Sequence, residues 1–264
     1  MAEEEPKESI FNTVAETYDE VRPDYPVELV NDLVRETGCN RIAQVLEIGA
    51  GTGKLTKALA SNFQTMTGLE LGNNLAEKAM ENLAGFSNVK IVVGNFDTYQ
   101  FPLESFDLVI AATSYHWLDP QNRSKRIGEI LKSGGFAAII ETRHIDAGKD
   151  NFPSDSQQCY IKWDENTTEP YHLPTQEEVE TAGFRFRDEF EGAFENTFSR
   201  TYASDVAYDA GQYMKLLSTY SDTLRMNEAS RNGLLDCLGN LIESGFGGKI
   251  TKSYLWQLLL LKKK

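Results

Sequence analysis

Cysteine and histidine are scarce in this chain of 264 residues, with three of each. The cysteines, Cys39, Cys159 and Cys237, are odd in number, lie far apart and form no CxxC pair. We therefore expect neither a disulfide framework nor a zinc site, and we predict that the protein resides in the reducing cytoplasm. Because the sequence has no histidine cluster, we expect no bound metal.

Basic residues are also in the minority. The chain has 26 Lys and Arg against 40 Asp and Glu, which gives a formal net charge of -14 at pH 7. Such a charge repels a phosphate backbone and an anionic lipid surface, so we expect no binding to DNA, RNA or membranes. A small molecule or a protein is the expected partner.

Long hydrophobic runs are absent as well. The longest apolar run lies in "LWQLLLLKKK" at the end; it is too short to span a bilayer and predicts a buried final strand with a basic tail. The start, "MAEEEPKES", is acidic and has no apolar core, so neither a secretory signal nor an organelle presequence is expected. The length fits one domain or two, and we expect a single domain, 1–264, with insertions.

The first half of the chain alternates between two kinds of pattern. From residue 41 to 142, short runs rich in Val and Ile alternate with helical spacing at 54–61, 74–83 and 122–132, the last stopped by the glycines of "KSGG". This alternation is typical of βαβ units and a mostly parallel sheet. The predicted strands are "AQVLEIG", "QTMTGLEL", "VKIVVGN", "FDLVIAAT" and "FAAIIET".

The second half is less regular. Residues 143–173 are rich in turn-forming residues and predict a long irregular connection. Thr175 and Glu178 have the spacing of a capping box, and Gly183 stands where a helix would end. In order after this helix we predict a β-like stretch at 184–202, helices at 203–218 and 227–244, and a final strand at 249–261.

A glycine-rich loop follows the first predicted strand, in "VLEIGAGTGKLTKALA", residues 45–60. Bare backbone between a strand and a helix is suited to approach a ligand closely. A phosphate-binding GxxxxGK[ST] loop is excluded, because Ile48 stands at its first glycine and Leu55 follows "GK". A dinucleotide GxGxxG pattern is weakened, because Lys54 replaces the third glycine. A tight turn without a ligand stays open.

The remaining pattern, ExGxGxG, is formed by Glu47, Gly49, Gly51 and Gly53. It resembles the first motif of class I S-adenosylmethionine-dependent methyltransferases, whose cofactor has an ammonium and a sulfonium but no pyrophosphate. Glu70 ends the second predicted strand about twenty residues after the first glycine, where a carboxylate can accept both ribose hydroxyl protons. The later stretches "FDLV" and "LKSGG" are similar to elements of the same family.

Three further segments extend the resemblance. The stretch "VVGNFD" is similar to the family's adenine-binding turn, with Asn95 where the family usually has Asp. The segment "FNTVAETYDEVRPDYP" looks like the helix that small-molecule methyltransferases fold over the cofactor, which implies roles for Tyr18 and Arg22. The "HW" element at His116 and Trp117 is similar to one in trans-aconitate methyltransferase-like proteins.

The resemblance implies an α/β fold with a Rossmann-like, doubly wound, seven-stranded mixed sheet, helices on both faces and a helical lid. It divides the domain into N-terminal lid helices (1–40), a cofactor-binding core (41–145), a helical insert or lid (203–247) and a final strand (249–262). The implied cofactor is S-adenosyl-L-methionine. The residues implied to bind it are Tyr18, Arg22, Glu47, Gly49, Ala50, Gly51, Gly53, Glu70, Leu71, Asn95, Phe96 and Ala112.

The implied activity is transfer of a methyl group to a small molecule, which depends mainly on positioning and on exclusion of water. His116 is the candidate general base for a hydroxyl or amine acceptor, or it only shapes the pocket wall beside Trp117. Arg143 either clamps an anionic substrate or pairs with a surface carboxylate. Candidate substrate-binding residues are Tyr25, Tyr115, His116, Trp117, Arg143 and Tyr220, of which the aromatic ones also fit core packing.

Two other functions stay open: an NAD(P)-dependent oxidoreductase, and a protein that binds the cofactor without catalysis and acts as an interaction subunit. Of the remaining histidines, His144 and His172 are expected to be exposed to solvent.

Overall fold

The computed structural model describes residues 14–264 of the protein. Its strands are β1 (Gln44–Ile48), β2 (Thr65–Glu70), β3 (Val89–Val93), β4 (Phe106–Ala112), β5 (Leu131–Ile145), β6 (Phe194–Asp209) and β7 (Lys249–Lys263). Its helices are α1 (Ala15–Val21), α2 (Val27–Thr37), α3 (Lys54–Leu59), α4 (Asn73–Asn82), α5 (Arg123–Ile130), α6 (Phe152–Asp155), α7 (Gln157–Trp163), α8 (Gln176–Ala182), α9 (Ala210–Leu217), α10 (Ser221–Arg225) and α11 (Glu228–Gly245).

The strands form one seven-stranded mixed sheet in the order β3-β2-β1-β4-β5-β7-β6. β1 pairs in parallel with both β2 and β4, although β4 comes three strands later in the chain. The strand order therefore reverses between β1 and β4. In open α/β sheets, ligands bind outside the carboxyl ends of the strands at such a reversal, and the glycine loop follows β1 at this point.

The predicted α/β class and the seven-stranded sheet are confirmed. β4 reads FDLVIAA and its last five residues are buried, as expected for a central parallel strand covered on both faces. The first four predicted strands agree with the observed ones to within about two residues, the usual difference between methods at an element's end. Within residues 14–264, no helix is both long and apolar enough to span a membrane.

By their internal contacts, the residues form two compact units. We call residues 24–142, 182–202 and 256–264 the glycine-loop unit, and the described residues 14–23 with 143–181 and 203–255 the helical unit. The predicted lid segment 1–40 is divided between the two at Pro23, and its residues 1–13 lie outside the described part of the chain. Its role as a lid stays a prediction.

The core of the glycine-loop unit is a cluster of buried apolar side chains. It includes Leu46 and Ile48 of β1, Val109 of β4 and Ile127 of α5. Full burial of such a side chain stabilises a fold by about 1.5–3 kcal/mol. The cluster therefore holds β1 and β4 rigidly, and with them the two loops that leave their carboxyl ends.

Two strands depart from their predicted bounds. α5 ends at Ile130, so the "KSGG" residues belong to β5, where Gly134 has a φ of 73°. β6 begins only at Phe194 and runs to Asp209. The predicted β-like stretch is therefore wrong at its start, and the predicted helix at 203 begins only at Ala210. Pairing within the sheet outweighs the helical spacing of these residues.

The predicted irregular connection at 143–173 is also partly wrong, because it contains the short helices α6 and α7. The predicted capping box before α8 is confirmed: the backbone N–H of Thr175 donates to Glu178 (2.8 Å), and the backbone N–H of Glu178 donates to the Thr175 hydroxyl (3.3 Å). Gly183 follows the helix with a φ of 75°, the left-handed conformation that ends many helices.

Cys159 of α7 and Cys237 of α11 form a disulfide bond in the helical unit. The expectation of no disulfide is therefore wrong for these two residues, and Cys39 is the free cysteine. A side chain at Gly233 would overlap the ring of Trp163, so glycine allows α11 to pack closely on α7. This close packing brings together two cysteines that are 78 residues apart.

We predict that unfolded, unreduced protein titrates with one equivalent of thiol reagent, from Cys39, and with three after reduction. Replacing Cys159 and Cys237 together by Ser should lower the free energy of unfolding in urea by about 2–4 kcal/mol, because the bond closes a long loop in the unfolded chain. Cys39→Ser is the control and should leave the disulfide intact. Three thiols in unreduced protein would contradict the prediction.

Candidate functional site

The glycine loop is fastened to the end of β2. The backbone N–H groups of Gly49 and Ala50 both donate to the carbonyl oxygen of Leu69, at 2.8 and 3.1 Å. The N–H of Gly53 donates back to the carbonyl of Ala50 at 2.9 Å. These bonds satisfy the backbone on the inner side of the loop and fix its path from β1 into α3.

The three glycines of the loop have φ values of 72°, 57° and 82° at Gly49, Gly51 and Gly53. Residues other than glycine rarely adopt this left-handed backbone conformation. A Cβ at Gly49 would lie 2.5 Å from that of Ser114, and one at Gly53 would lie 2.8 Å from a methyl group of Leu83. A Cβ at Gly51 would meet nothing within 4 Å, so the bare backbone of Gly51 faces open space.

Glu70 joins this loop to the loop after β2. Its carboxylate accepts the backbone N–H of Gly51 at 2.7 Å and that of Gly72 at 2.9 Å. Burial raises the pKa of this carboxyl, and the backbone N–H bonds work in the opposite direction. The contact confirms that the glycine loop and Glu70 lie together, as the spacing in the sequence predicts.

Glu47 lies deeper than its neighbours in the motif. It is 2 % exposed, and the hydroxyl of Thr56 donates to its carboxyl at 2.5 Å. Burial raises the pKa of Glu47 to about 8, with a smaller contribution from the charge of Glu70. The carboxyl is therefore mainly protonated at pH 7, and it supports α3 from inside the fold.

The loop has the unused hydrogen-bonding capacity that an adenosyl ligand needs. A carboxylate has about four acceptor positions, so Glu70 keeps capacity for ligand hydroxyls beyond the two backbone bonds. The hydroxyl of Thr52 is buried and has no hydrogen-bond partner among residues 14–264. Together with the open space at Gly51, these features fit S-adenosyl-L-methionine, whose ribose hydroxyls Glu70 would accept.

The loop after β3 carries the predicted adenine contact. The side-chain oxygen of Asn95 accepts the backbone N–H of Asp97 at 2.8 Å, so one of its acceptor positions is already used. Phe96 is buried in the core cluster. Ala50 and Ala112 are also buried, and Leu71 is partly exposed. Cofactor contacts of these residues stay predictions.

The stretch after β4 separates into a buried and an exposed part. Tyr115 is 1 % exposed, and its hydroxyl donates to Glu189 at 2.8 Å. Arg123 completes this buried network by pairing with Glu189 at 2.5 Å. Of the two roles considered for Tyr115, substrate binding and core packing, the structure therefore supports core packing. His116 is exposed, and its ring centroid lies 5.2 Å from that of the partly exposed Trp117.

The other predicted residues are distributed over both units. Tyr25 packs on Trp256 in the glycine-loop unit, with ring centroids 4.9 Å apart. Tyr18 and Arg22 lie in the helical unit, where the Arg22 guanidinium is 4.7 Å from the centre of the Tyr18 ring. Arg143 is exposed and belongs to the same unit.

The two remaining histidines differ in exposure. His172 is exposed, as expected. The expectation for His144 is wrong: it is only partly exposed and packs against the rings of Tyr220 and Tyr254 at 5.5 and 5.3 Å. Tyr220 is thus a partner of His144 within the helical unit.

Three residues at the site were not predicted from the sequence. Ser114 packs on Gly49, and its hydroxyl donates to the carbonyl of Ile48. Thr113 has a φ of 54°, a strained conformation for a β-branched residue and one that often marks functional sites. Thr52 carries a buried hydroxyl that has no hydrogen-bond partner among residues 14–264. The position of Thr52 within the glycine motif was the one feature of the sequence that could have identified any of these three residues.

No group of three or more His, Cys, Asp and Glu residues in the described range 14–264 is arranged to hold a metal ion.

Comparison with known proteins connects this geometry to a family. The model of a family described as "Methyltransferase domain" matches residues 45–135, which include the glycine loop, Glu70 and the stretch after β4. An uncharacterized methyltransferase of Geobacillus sp. is 30% identical over 146 residues, which are 52% of this chain and 68% of that protein. The chain spans about half the length of the first curated relatives it matches.

Two further proteins show the cofactor class and the fold of the relatives. A Saccharomyces cerevisiae protein named as a probable S-adenosylmethionine-dependent methyltransferase is 28% identical, over 66% of this chain and 61% of its own. A candidate type II methyltransferase from Anaeromyxobacter dehalogenans has a similar fold, with a TM-score of 0.61 over 92% of this chain and 97% of its own, at 18% identity.

We predict that Gly49→Ala destabilises the protein more than Gly51→Ala, by at least about 1 kcal/mol in urea unfolding. Both substitutions force alanine into a positive φ, but only the methyl group added at position 49 also collides with Ser114. Gly51→Ala is therefore the control for backbone strain alone. Equal losses of stability would contradict the close approach of Gly49 to Ser114.

We predict that Glu47 contributes a fall in the free energy of unfolding as the pH rises from 5 to 8. Folded Glu47 keeps its proton up to a pKa of about 8, whereas the unfolded side chain loses it near 4.5. The native state therefore binds more protons in this range, with a slope of at most about 1.4 kcal/mol per pH unit from this group. Glu47→Gln should remove this contribution and make the slope of stability against pH more positive than in wild type, and Glu77→Gln, at an exposed position of α4, should not. An unchanged slope in Glu47→Gln would contradict the burial of a protonated Glu47.

Proposed function

Because the chain belongs to the class I S-adenosylmethionine-dependent methyltransferase family, we propose that it transfers a methyl group from S-adenosyl-L-methionine to a small molecule. The observation that carries the proposal is the contact between Glu70 and the backbone of Gly51 at the strand-order reversal. It provides, in one place, an acceptor for ribose hydroxyls and a loop that a ligand can approach closely.

The cofactor supplies an activated methyl group on a sulfonium, with a neutral thioether as leaving group. The contribution of the protein is to bind, orient and exclude water. Glu70 holds the ribose diol, and the backbone at Gly51 lies alongside the ligand. Phe96 and Asn95 in the loop after β3 flank the adenine, where the amide of Asn95 donates and accepts without a charge.

His116 is the proposed general base for an acceptor that must lose a proton. It lies four residues after the end of β4 and is exposed, so a substrate can reach its ring, and histidine is the side chain that most often acts as a general base. Trp117 beside it provides an apolar surface for the acceptor. A carboxylate acceptor needs no base, and His116 then forms part of the wall.

The remaining contacts belong to the same proposal. Tyr18 and Arg22 bind the methionyl end of the cofactor, for which a guanidinium offers a fork of donors to a carboxylate. Tyr25 and Arg143 are proposed to contact the acceptor. The segments 1–40 and 203–247 are proposed as lids.

The proposed acceptor is a small molecule, and no nucleic acid is expected to bind, since the net charge of -14 opposes it. The cytoplasmic location stays a prediction. The disulfide between Cys159 and Cys237 weighs against it, because such bonds are rare in reducing compartments.

The proposal predicts that S-adenosylhomocysteine raises the melting temperature of the protein, whereas NADH does not. At a ligand concentration of one hundred times Kd, binding should stabilise the fold by about 2.7 kcal/mol. Glu70→Gln should weaken binding of S-adenosylhomocysteine at least tenfold by calorimetry, about 1.4 kcal/mol, because an amide cannot accept from both Gly51 and Gly72 and also from the ribose.

Glu77→Gln is the matched control, since it removes one negative charge from an exposed position of α4. The affinities are compared well below the melting temperature of each variant, so that a loss of stability is not mistaken for a loss of binding. The proposed function would be contradicted if millimolar S-adenosylhomocysteine does not raise the melting temperature of the wild-type protein. Stabilisation by NADH instead would favour an oxidoreductase.

A further inference from the structure

The helical unit contains three basic side chains that pack on the same tyrosine rings, Arg22, His144 and Lys252, and we call them the basic cluster. Arg22 and His144 both pack on the ring of Tyr220, and His144 and Lys252 both lie near the ring of Tyr254. They come from the end of α1, from β5 and from β7, so the fold brings together residues that are distant in the sequence.

Arg22 uses only part of its donor capacity. Its Nε donates to the hydroxyl of Thr219 at 2.9 Å and its Nη2 to the carbonyl of Thr219 at 2.8 Å. Its Nη1 donates to no residue between 14 and 264. The guanidinium lies 4.3 Å from the centre of the Tyr220 ring, which fixes its plane and leaves one edge of the fork for a ligand.

His144 and Lys252 are set among tyrosine rings. The Tyr220 hydroxyl lies 3.4 Å from Nε2 of His144. The Nζ of Lys252 is 5.8 Å from the ring centre of Tyr254 and 5.9 Å from that of Tyr213. Both basic side chains are partly exposed, so a small molecule has access to them.

None of the carboxylates in residues 14–264 forms an ion pair with a member of the basic cluster. Some basic residues of the same unit do pair: Lys215 binds Glu20 at 2.8 Å and Lys149 binds Asp205 at 3.0 Å. The basic cluster has no such pair, although the chain has 40 Asp and Glu against 26 Lys and Arg.

Burial and the neighbouring positive charges lower the pKa values of two members of the cluster. Burial, followed by the charge of Arg22, lowers the pKa of Lys252 to about 8. Burial, together with Lys252, Arg22 and Arg143, holds the pKa of His144 well below its usual value. A bound anion would oppose both effects, because an opposite charge favours the protonated form of each group.

We propose that the basic cluster is a binding site for the carboxylate or phosphate group of a small molecule other than the methyl donor. Lys252 supplies the charged donor, Arg22 adds positive charge beside it, and the neighbouring tyrosine hydroxyls add neutral donors. The cluster has more cations than the single carboxylate of the donor requires. The net charge of the chain, -14, opposes large polyanions and therefore favours a compact anion as the ligand.

The test measures thermal shifts and calorimetric affinities for inorganic phosphate and for succinate, with sodium chloride at matched ionic strength as the reference. One or both anions should raise the melting temperature of the wild-type protein by at least about 2 °C. Lys252→Gln should abolish the shift, and Lys252→Arg should retain it. The matched control is Lys249→Gln, which removes one exposed charge from the same strand and should respond like wild type.

Comparing phosphate with succinate shows whether the cluster prefers a phosphate or a carboxylate group. Binding of S-adenosylhomocysteine shows separately whether the cluster belongs to the methyl-donor site. Lys252→Gln should keep at least half of the wild-type affinity for S-adenosylhomocysteine. A parallel loss of that affinity would assign the cluster to the donor and overturn the proposal. The proposal would also be overturned if neither anion raises the melting temperature of the wild type, or if the anions raise that of Lys252→Gln by the same amount as that of wild type. Because the readout is anion binding, failure here leaves the proposed methyl transfer untouched.

Discussion

A buried carboxylate that accepts two backbone N–H groups organises the candidate site. Glu70 receives the N–H of Gly51 from one loop and that of Gly72 from another, so it connects the carboxyl ends of β1 and β2. A carboxylate with 7 % exposure needs such donors, because burial without hydrogen bonds is costly. The donors in turn need a loop with a freely oriented backbone, which is the physical reason for alternating glycines.

The fold explains why this contact forms where a ligand can use it. β1 is paired on both sides, and the reversal of strand order between β1 and β4 leaves their carboxyl ends without a crossover above them. The glycine loop, Thr113 and Ser114 lie at this edge. Ser114 fills the space against Gly49, whereas Gly51 keeps its outer side open. Gly49 and Gly51 of the same loop therefore provide close packing against Ser114 and open space for a ligand, respectively.

The two units differ in the charge that they present. The glycine-loop unit places the carboxylate of Glu70 beside bare backbone, which suits hydroxyl donors. The helical unit places Arg22 and Lys252 among tyrosines with no carboxylate partner in residues 14–264. A chain with a net charge of -14 thus contains a local region of the opposite sign, and a net charge alone does not predict the ligands that a protein accepts.

Much of the glycine-loop unit could be predicted from the sequence, since strand runs such as "FDLVIAAT" and the alternating glycines act locally. Residues that depend on distant partners could not. β6 extends through residues with helical spacing because it pairs within the sheet. Cys159 and Cys237 meet because Gly233 admits Trp163, and nothing in their own surroundings signals this. The burial of Tyr115 depends in the same way on Glu189, 74 residues away.

The most direct measurement is a crystal structure of the protein with S-adenosylhomocysteine bound. Both ribose hydroxyls should lie within about 3.2 Å of the Glu70 carboxylate, and the ligand should pass over the backbone of Gly51. A ligand bound elsewhere, or one whose ribose does not contact Glu70, would contradict the assignment of this loop as the cofactor site.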